Sequence, residues 1–141
     1  MNLTPTRPPS GSGRFHHQLL ADAVQLTQLR ADLACWLATL IPPWADIQRE
    51  DIVLATYEAL ANATEHAYHD RTPGQVTLEA DRTDNELTIT VRDNGGWRIP
   101  TNRDPHRGRG LHMIRLLADR NTITNNPHGT EVTMTWRRAA A

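Results

Sequence analysis

Residues 58–66 read Glu-Ala-Leu-Ala-Asn-Ala-Thr-Glu-His, near the end of a stretch (about 46–69) in which apolar residues recur at helical spacing. Glu58, Asn62 and His66 follow one another at intervals of four, and each such step turns only about 40° around a helix axis. The three side chains are therefore predicted to share one face of a helix. The alanines between them are small enough to let a ligand come close to that helix.

This pattern has two interpretations. A carboxamide oxygen is a hard ligand suited to Mg²⁺, and a carboxylate one turn away can orient or deprotonate an attacking hydroxyl. Glu58 and Asn62 would then divide the labour of one site. The alternative is an ordinary solvated polar stripe on an amphipathic helix.

Another helix precedes this one. Apolar residues recur at helical spacing over residues 22–40, Asp22 is a suitable N-cap, and Pro42 and Pro43 stop the helix. Residues 14–20 are predicted to form a short edge strand. Residues 1–13 are rich in proline, glycine and serine, which predicts a tail outside the core.

After Pro73-Gly74 the spacing of the apolar residues changes from helical to alternating. Alternating apolar residues at 76–80 and 87–91 flank a polar turn at 81–85, which predicts a β-hairpin. Further along, residues 110–119 predict a short helix, and residues 121–125 and 132–136 predict two strands around a turn at 126–129. This order predicts an α/β (α+β) two-layer sandwich, with an antiparallel or mixed sheet covered by helices on one face. The domain is expected over residues 14–137, with 138–141 as a second tail.

A second candidate site follows the hairpin. The segment Asp93-Asn-Gly95-Gly-Trp97 comes directly after an apolar strand. An aspartate there can accept a hydrogen bond from an exocyclic amine, and Gly95 lets the backbone approach a flat ring. An Asp-Asn-Gly turn is the simpler interpretation.

A third segment, Arg107-Gly108-Arg109-Gly110-Leu111, opens a predicted helix. Its glycines and free N–H groups suit a phosphate, and its arginines add positive charge. It is neither a Walker A loop nor a dinucleotide-binding fingerprint, because the Gly-Lys-Ser/Thr and the parallel βαβ unit are missing. A final Gly129-Thr130 precedes the last strand, where the hydroxyl can meet a phosphate or a bound water.

The composition disfavours or excludes several classes of protein. The net charge of −1 gives no argument for nucleic acid, and one cysteine in 141 residues excludes an intramolecular disulfide. No apolar run suits a membrane span or a secretion signal, so a soluble cytoplasmic protein is expected. Cys35 is expected in the core. The tryptophans at 36, 44 and 136 are expected to be packing residues.

The four segments together resemble the GHKL (Bergerat) superfamily, which has N, G1, G2 and Gly-Thr boxes in this order. The chain is most similar to the bacterial anti-sigma-factor serine/threonine kinases, and the Trp97-Arg-Ile-Pro100 that follows Asp-x-Gly resembles a branch common in actinobacteria. The resemblance spans about residues 14–137. It implies a Bergerat ATP-binding fold with ATP and Mg²⁺ as cofactors.

The resemblance also implies residue roles. Glu58 corresponds to the proposed general base, Asn62 to the magnesium ligand and Asp93 to the residue that reads the adenine amine, while Thr130 stands at the Gly-Thr position. The remaining nucleotide-binding residues are expected to be His66, Gly95, Trp97, Arg107, Gly108, Arg109, Gly110 and Leu111. Trp97 departs from the family pattern, because a second glycine usually stands there.

The function implied is an ATP-dependent protein kinase that regulates transcription. Such a kinase phosphorylates a STAS-type anti-sigma-factor antagonist and sequesters a sigma factor, and it can form a homodimer. The alternative is a non-catalytic nucleotide-binding switch of the same fold. A histidine kinase fragment and a gyrase-type ATPase are disfavoured, because neither an upstream phospho-acceptor hairpin nor a transducer domain is seen in the sequence.

Overall fold

The structure is a computed structural model that describes residues 14–20, 23–67, 75–93, 112–126 and 129–139. Within these ranges the chain forms two helices and five strands. They are β1 (Arg14–Leu20), α1 (Ala23–Ala38), α2 (Asp46–Ala67), β2 (Gln75–Arg82), β3 (Glu86–Asp93), β4 (Arg120–Asn126) and β5 (Gly129–Arg137). A short helical segment covers residues 112–117. The predicted elements are therefore confirmed in order and type.

The strands form one sheet in the order β1-β2-β3-β5-β4. Every neighbouring pair is antiparallel, which selects the antiparallel form from the two predicted. β1 is an edge strand, as its sequence predicts. The predicted hairpin joins β2 to β3, and its turn is closed by a hydrogen bond of 2.8 Å that the Thr83 amide donates to the Glu86 carbonyl.

The sheet has one buried face and one open face, because successive side chains of a strand point to opposite sides. The buried face carries the alternate apolar residues Val76, Leu78, Ala80, Leu87, Ile89, Val91, Val132, Met134 and Trp136. α2 lies over β3 and also touches β2 and β5, while α1 lies against α2 and β1. Both helices thus cover the same face, which confirms the predicted two-layer fold.

α1 buries an apolar stripe and ends where two backbone bonds tighten its last turn. The buried residues are Leu26, Leu29, Leu33, Trp36 and Leu37. The amides of Thr39 and Leu40 then bond to carbonyls three residues earlier, ahead of the two prolines. The expectation that Cys35 lies in the core is wrong: its thiol is exposed, because the position falls beside the buried stripe rather than within it. Val24, one of the apolar residues at helical spacing over residues 22–40, is 77% exposed, because the buried stripe begins at Leu26.

α2 approaches the sheet through small residues. Ala55, Thr56, Ala59 and Ala63 are buried on its sheet side together with Ile52 and Leu60. Ile47, one of the apolar residues at helical spacing over residues 46–69, is 73% exposed, because it lies in the first turn, ahead of the buried part of the helix. Residues 68 and 69, the predicted end of the helix, lie outside the described residues.

The tryptophans are packing residues, as predicted. Trp36, Trp44 and Trp136 are all buried. The indole N–H of Trp136 donates a hydrogen bond of 2.8 Å to the Leu117 carbonyl, which ties β5 to the helical segment 112–117. Across the described part of the chain, neither helix has the length and apolar character needed to cross a membrane.

Candidate functional site

The second half of α2 carries two polar residues beside its buried alanines. Glu58 and Asn62 are both half-buried and stand one helical turn apart. Ala59 and Ala63, each one residue further along, are buried against the sheet. The polar pair therefore lies at the margin of the helix–sheet contact, where it can meet both the sheet and a ligand. His66 continues the helix, but its side chain lies outside what the structure describes.

Asp93 is the last residue of β3, and its side chain is half-buried. The register places it directly opposite Val76 of β2 and Thr130 of β5. Val76 is fully buried and Thr130 is 5% exposed, so this row belongs to the face covered by the helices. The structure thus brings together Asp93 and Thr130, which are 37 positions apart in the sequence.

The start of α2 is fixed at the opposite end of the sheet. The Gln48 amide group donates a hydrogen bond of 2.8 Å to the Arg137 carbonyl and accepts one of 3.0 Å from the Ala139 amide. Arg137 pairs with Glu86, the first residue of β3. α2 and β3 therefore start at the same end of the sheet.

Helix and strand also advance by similar lengths. From Gln48 to Asn62 the helix rises about 21 Å, and from Glu86 to Asp93 the strand extends about 23 Å. Because α2 lies over β3, the second half of α2, which carries Asn62, runs toward the end of the sheet where Asp93 lies. The structure therefore pairs Asp93 with the Gly129-Thr130 segment, and α2 runs toward the same end of the sheet.

An ion-pair network lies on the open face, one residue before Asp93. The Arg92 guanidinium contacts a Glu131 oxygen at 2.6 Å through Nε and a Glu79 oxygen at 3.2 Å through Nη1. The hydrogen bond to Glu131, together with the charges of both carboxylates, raises the pKa of Arg92. We call these three residues the Arg92 clasp. The sequence reasoning missed it, although Arg92 and Glu131 are the immediate neighbours of Asp93 and Thr130.

Gly129 begins β5 with a positive φ of 145°, a conformation that favours glycine. This conformation explains why glycine precedes threonine here: the glycine turns the backbone into the strand, and the threonine that follows is buried. The other predicted nucleotide-binding residues lie outside the described residues. They are Gly95, Trp97, Arg107, Gly108, Arg109, Gly110 and Leu111.

Two further features bear on where a ligand can lie. A groove of about 770 Å³ runs between the helices and is lined by residues that include Thr27, Arg30, Arg49 and Val53. It uses the first half of α2 and so lies away from the Asp93 row. Among the described residues, no group of three or more histidine, cysteine or acidic side chains could hold a metal by itself.

The comparisons with known proteins agree with this architecture. The family model of the histidine kinase-like ATPase domain matches residues 19–136. Two curated relatives, the anti-sigma F factors of Clostridium botulinum strains Eklund 17B and Alaska E43, are each 33% identical over 66 residues. Each match covers 47% of this chain and 45% of the relative, so it spans less than half the length of those proteins.

Solved structures show the same likeness over more of the chain. The structure of the RsbU and RsbW domains of Rv1364c from Mycobacterium tuberculosis matches 91% of this chain and 33% of that one, with a TM-score of 0.72 and 28% identity. The histidine kinase domain of the EL346 blue-light activated kinase from Erythrobacter litoralis matches 79% of this chain and 60% of that one, with a TM-score of 0.56 and 26% identity. The predicted fold type and the predicted resemblance are both confirmed.

Proposed function

This chain belongs to the histidine kinase-like ATPase domain family, and from that premise we propose that it binds ATP with Mg²⁺ at the Asp93 end of the sheet and phosphorylates a protein partner. The observation that carries the proposal is the pairing of Asp93 with Thr130 at the end of the sheet toward which α2 runs. Glu58 and Asn62, both half-buried on the second half of α2, are proposed to face the half-buried carboxylate and the buried hydroxyl that adjacent strands bring together.

Asp93 and Thr130 form the proposed adenine end of the site. A carboxylate is an acceptor only, so Asp93 suits the exocyclic amine of adenine, and the Thr130 hydroxyl can both donate and accept. Val76, opposite Asp93, is fully buried, so the sheet beside this end of the site is apolar. A site built to accept a hydrogen bond from an amine discriminates strongly against a carbonyl, which cannot donate one.

Asn62 and Glu58 form the proposed phosphate end. Their oxygens are hard donors, and Mg²⁺ is usually bound by one or two protein oxygens together with substrate phosphates and water. The donor set therefore fits a metal that arrives with the nucleotide, and Asn62 would hold it; when bound, it neutralises charge on the phosphates. Glu58 would accept the proton of the attacking serine or threonine hydroxyl. The hydroxyl oxygen would bond to the γ-phosphorus as the bond from phosphorus to ADP breaks and ADP leaves.

The remaining family segments complete the proposed pocket. His66 is proposed to share the face of Glu58 and Asn62, because it follows Asn62 by four residues, and Gly95 and Trp97 are proposed to lie beside the adenine, because they follow Asp93 in the sequence. The segment 107–111 supplies the N–H groups and arginines around the phosphates. The domain is proposed to span residues 14–137.

The proposed substrate is a STAS-type anti-sigma-factor antagonist, and the second proposed partner is a sigma factor. Support comes from the relatives, since two are named anti-sigma F factors and one solved structure contains an RsbW domain. The protein is proposed to act in the cytoplasm, as a homodimer, without direct contact to nucleic acid or membrane.

Glu58→Ala tests phosphoryl transfer. The parent and the variant are incubated with γ-labelled ATP, Mg²⁺ and a purified STAS-domain antagonist from the same genome. Loss of a general base is expected to slow transfer by about 10²–10⁴-fold, while the affinity for ATP stays near that of the parent. Glu50→Ala is the control, because Glu50 is an exposed carboxylate on the same helix, two turns earlier.

Equal transfer by the Glu58→Ala and Glu50→Ala proteins would remove Glu58 from the mechanism. If the parent protein binds ATP but transfers phosphate to no antagonist of that genome, the result would favour the non-catalytic switch.

A further inference from the structure

The Arg92 clasp joins three strands at the rung of the sheet that directly precedes the Asp93 row. Arg92 stands opposite Glu131 of β5 and opposite Thr77 of β2, next to the Asp93–Thr130 pair on both strands. Its guanidinium reaches the Glu131 carboxylate at 2.6 Å and the Glu79 carboxylate at 3.2 Å. His16 of β1 lies 3.6 Å from the same Glu79 oxygen, so the contacts extend over four strands.

The clasp and the candidate ligand row occupy opposite faces. Asp93 and Thr130 share the helix-covered face with Val91 and Val132, whereas Arg92 and Glu131 lie on the open face. The Arg92–Glu131 pair and the Asp93–Thr130 pair are consecutive on both strands. Holding the first pair together therefore also holds the backbone of the second pair in register, and no clasp atom needs to touch the nucleotide.

The location matters because strand ends open more easily than strand centres. β3 ends at Asp93 and β5 begins at Gly129, so the Asp93–Thr130 pair is near the end of both strands. A ligand that uses Asp93 and Thr130 together needs these two strand ends held in one register. Pre-organised groups bind more tightly than groups that must be ordered on binding.

We infer that Arg92 is a positioning residue for the nucleotide site: by holding Glu79 and Glu131 on the open face, it fixes Asp93 and Thr130 on the other. This inference rests on the proposed function for its ligand, but the order it assigns to the strand ends exists without nucleotide. The same sheet offers a matched control in the Arg14–Asp81 ion pair of 2.8 Å, which also lies on the open face. Asp81 pairs with Thr88, at the other end of β3.

The test compares full-length Arg92→Gln with full-length Arg14→Gln in two measurements. The first is amide hydrogen exchange at Asp93 and Thr130 without nucleotide. The second is the Kd for ATP by calorimetry in the presence of Mg²⁺. Arg92→Gln is expected to speed exchange at both amides and to raise the Kd about three- to fivefold, the range expected for exposed ion pairs. Arg14→Gln is expected to leave both unchanged, with a similar melting temperature.

Two further variants separate positioning from general stability. Arg92→Lys retains the charge but not the two-nitrogen fork, so its Kd should lie between those of the parent and Arg92→Gln. Adding Glu131→Gln to Arg92→Gln should raise the Kd no further, because the two residues act as one unit.

Exchange rates and Kd values that match those of Arg14→Gln would overturn the inference. Faster exchange with an unchanged Kd would overturn the role in nucleotide binding. If the parent does not bind ATP, the proposed function fails, and the exchange rates at Asp93 and Thr130 still decide whether the clasp orders the strand ends.

Discussion

The buried hydroxyl of Thr56 provides a test of the helix–sheet contact. Thr56 is 0% exposed on the sheet side of α2, and its Oγ1 has no hydrogen-bond partner within the described part of the chain. A buried polar group without a partner costs about 1–3 kcal/mol. Valine has nearly the same shape and a similar helix propensity, so Thr56→Val should remove that cost without leaving a cavity.

We expect Thr56→Val to raise the free energy of unfolding by about 1–2 kcal/mol, at the lower end of that cost because partial solvation occurs in real proteins. For a domain of this size that corresponds to a rise in Tm of roughly 3–6 °C. Urea unfolding at equilibrium measures it, with a higher midpoint and an unchanged slope m.

Thr56→Ser is the matched control. It retains the hydroxyl and deletes the buried methyl group, so stability should fall by about 1 kcal/mol. Destabilisation by Thr56→Val of 1 kcal/mol or more would refute the reasoning, since the hydroxyl would then have a partner whose loss outweighs its burial.

Three further substitutions probe other parts of the fold. Trp136→Phe should destabilise the protein by about 1–3 kcal/mol in the same urea assay, because it removes buried volume and the hydrogen bond to the Leu117 carbonyl; a change below 0.5 kcal/mol would contradict this packing. Burial lowers the pKa of His17 in the folded protein, so the unfolded chain takes up a proton at this histidine first as the pH falls. The free energy of unfolding should therefore decrease as the pH drops below about 6.5. In measurements of Tm against pH, His17→Gln should show a weaker decrease than the parent, and His112→Gln is the control for loss of a histidine. Cys35 is exposed, so it should react with a thiol reagent in the native protein and Cys35→Ser should change stability by less than about 0.5 kcal/mol; a thiol that reacts only after unfolding would restore the original expectation of a core cysteine.

Residue periodicity predicted the elements well but not every side of each helix. The stripe of α1 is clear from Leu26 to Leu37, yet Val24 and Cys35 are apolar too and lie off it. A helix of this composition has few charges to mark its solvent side, so apolar character alone does not identify the buried face. Ile47 is exposed for another reason: the first turn of a long helix can extend beyond the sheet that the helix covers.

The sequence predicts the candidate site as separate segments, but it does not predict how the fold arranges them. Glu58 and Asn62 are related by local helical spacing, which sequence shows directly. The pairing of Asp93 with Thr130 depends on β3 lying beside β5, a non-local choice of strand order. The Arg92 clasp depends on the same choice, because its two carboxylates come from strands on either side of β3.

Calorimetric titration of the purified protein with ATP, with and without Mg²⁺, beside Asp93→Asn, tests the central proposal most directly. An asparagine at this position keeps the size of the side chain but presents an N–H₂ donor as well as an acceptor, and it has no charge for the adenine amine. We predict magnesium-dependent binding by the parent and its loss in Asp93→Asn, with both proteins melting at similar temperatures. Equal binding by both, or no binding by a folded parent, would contradict a nucleotide site at the Asp93 row.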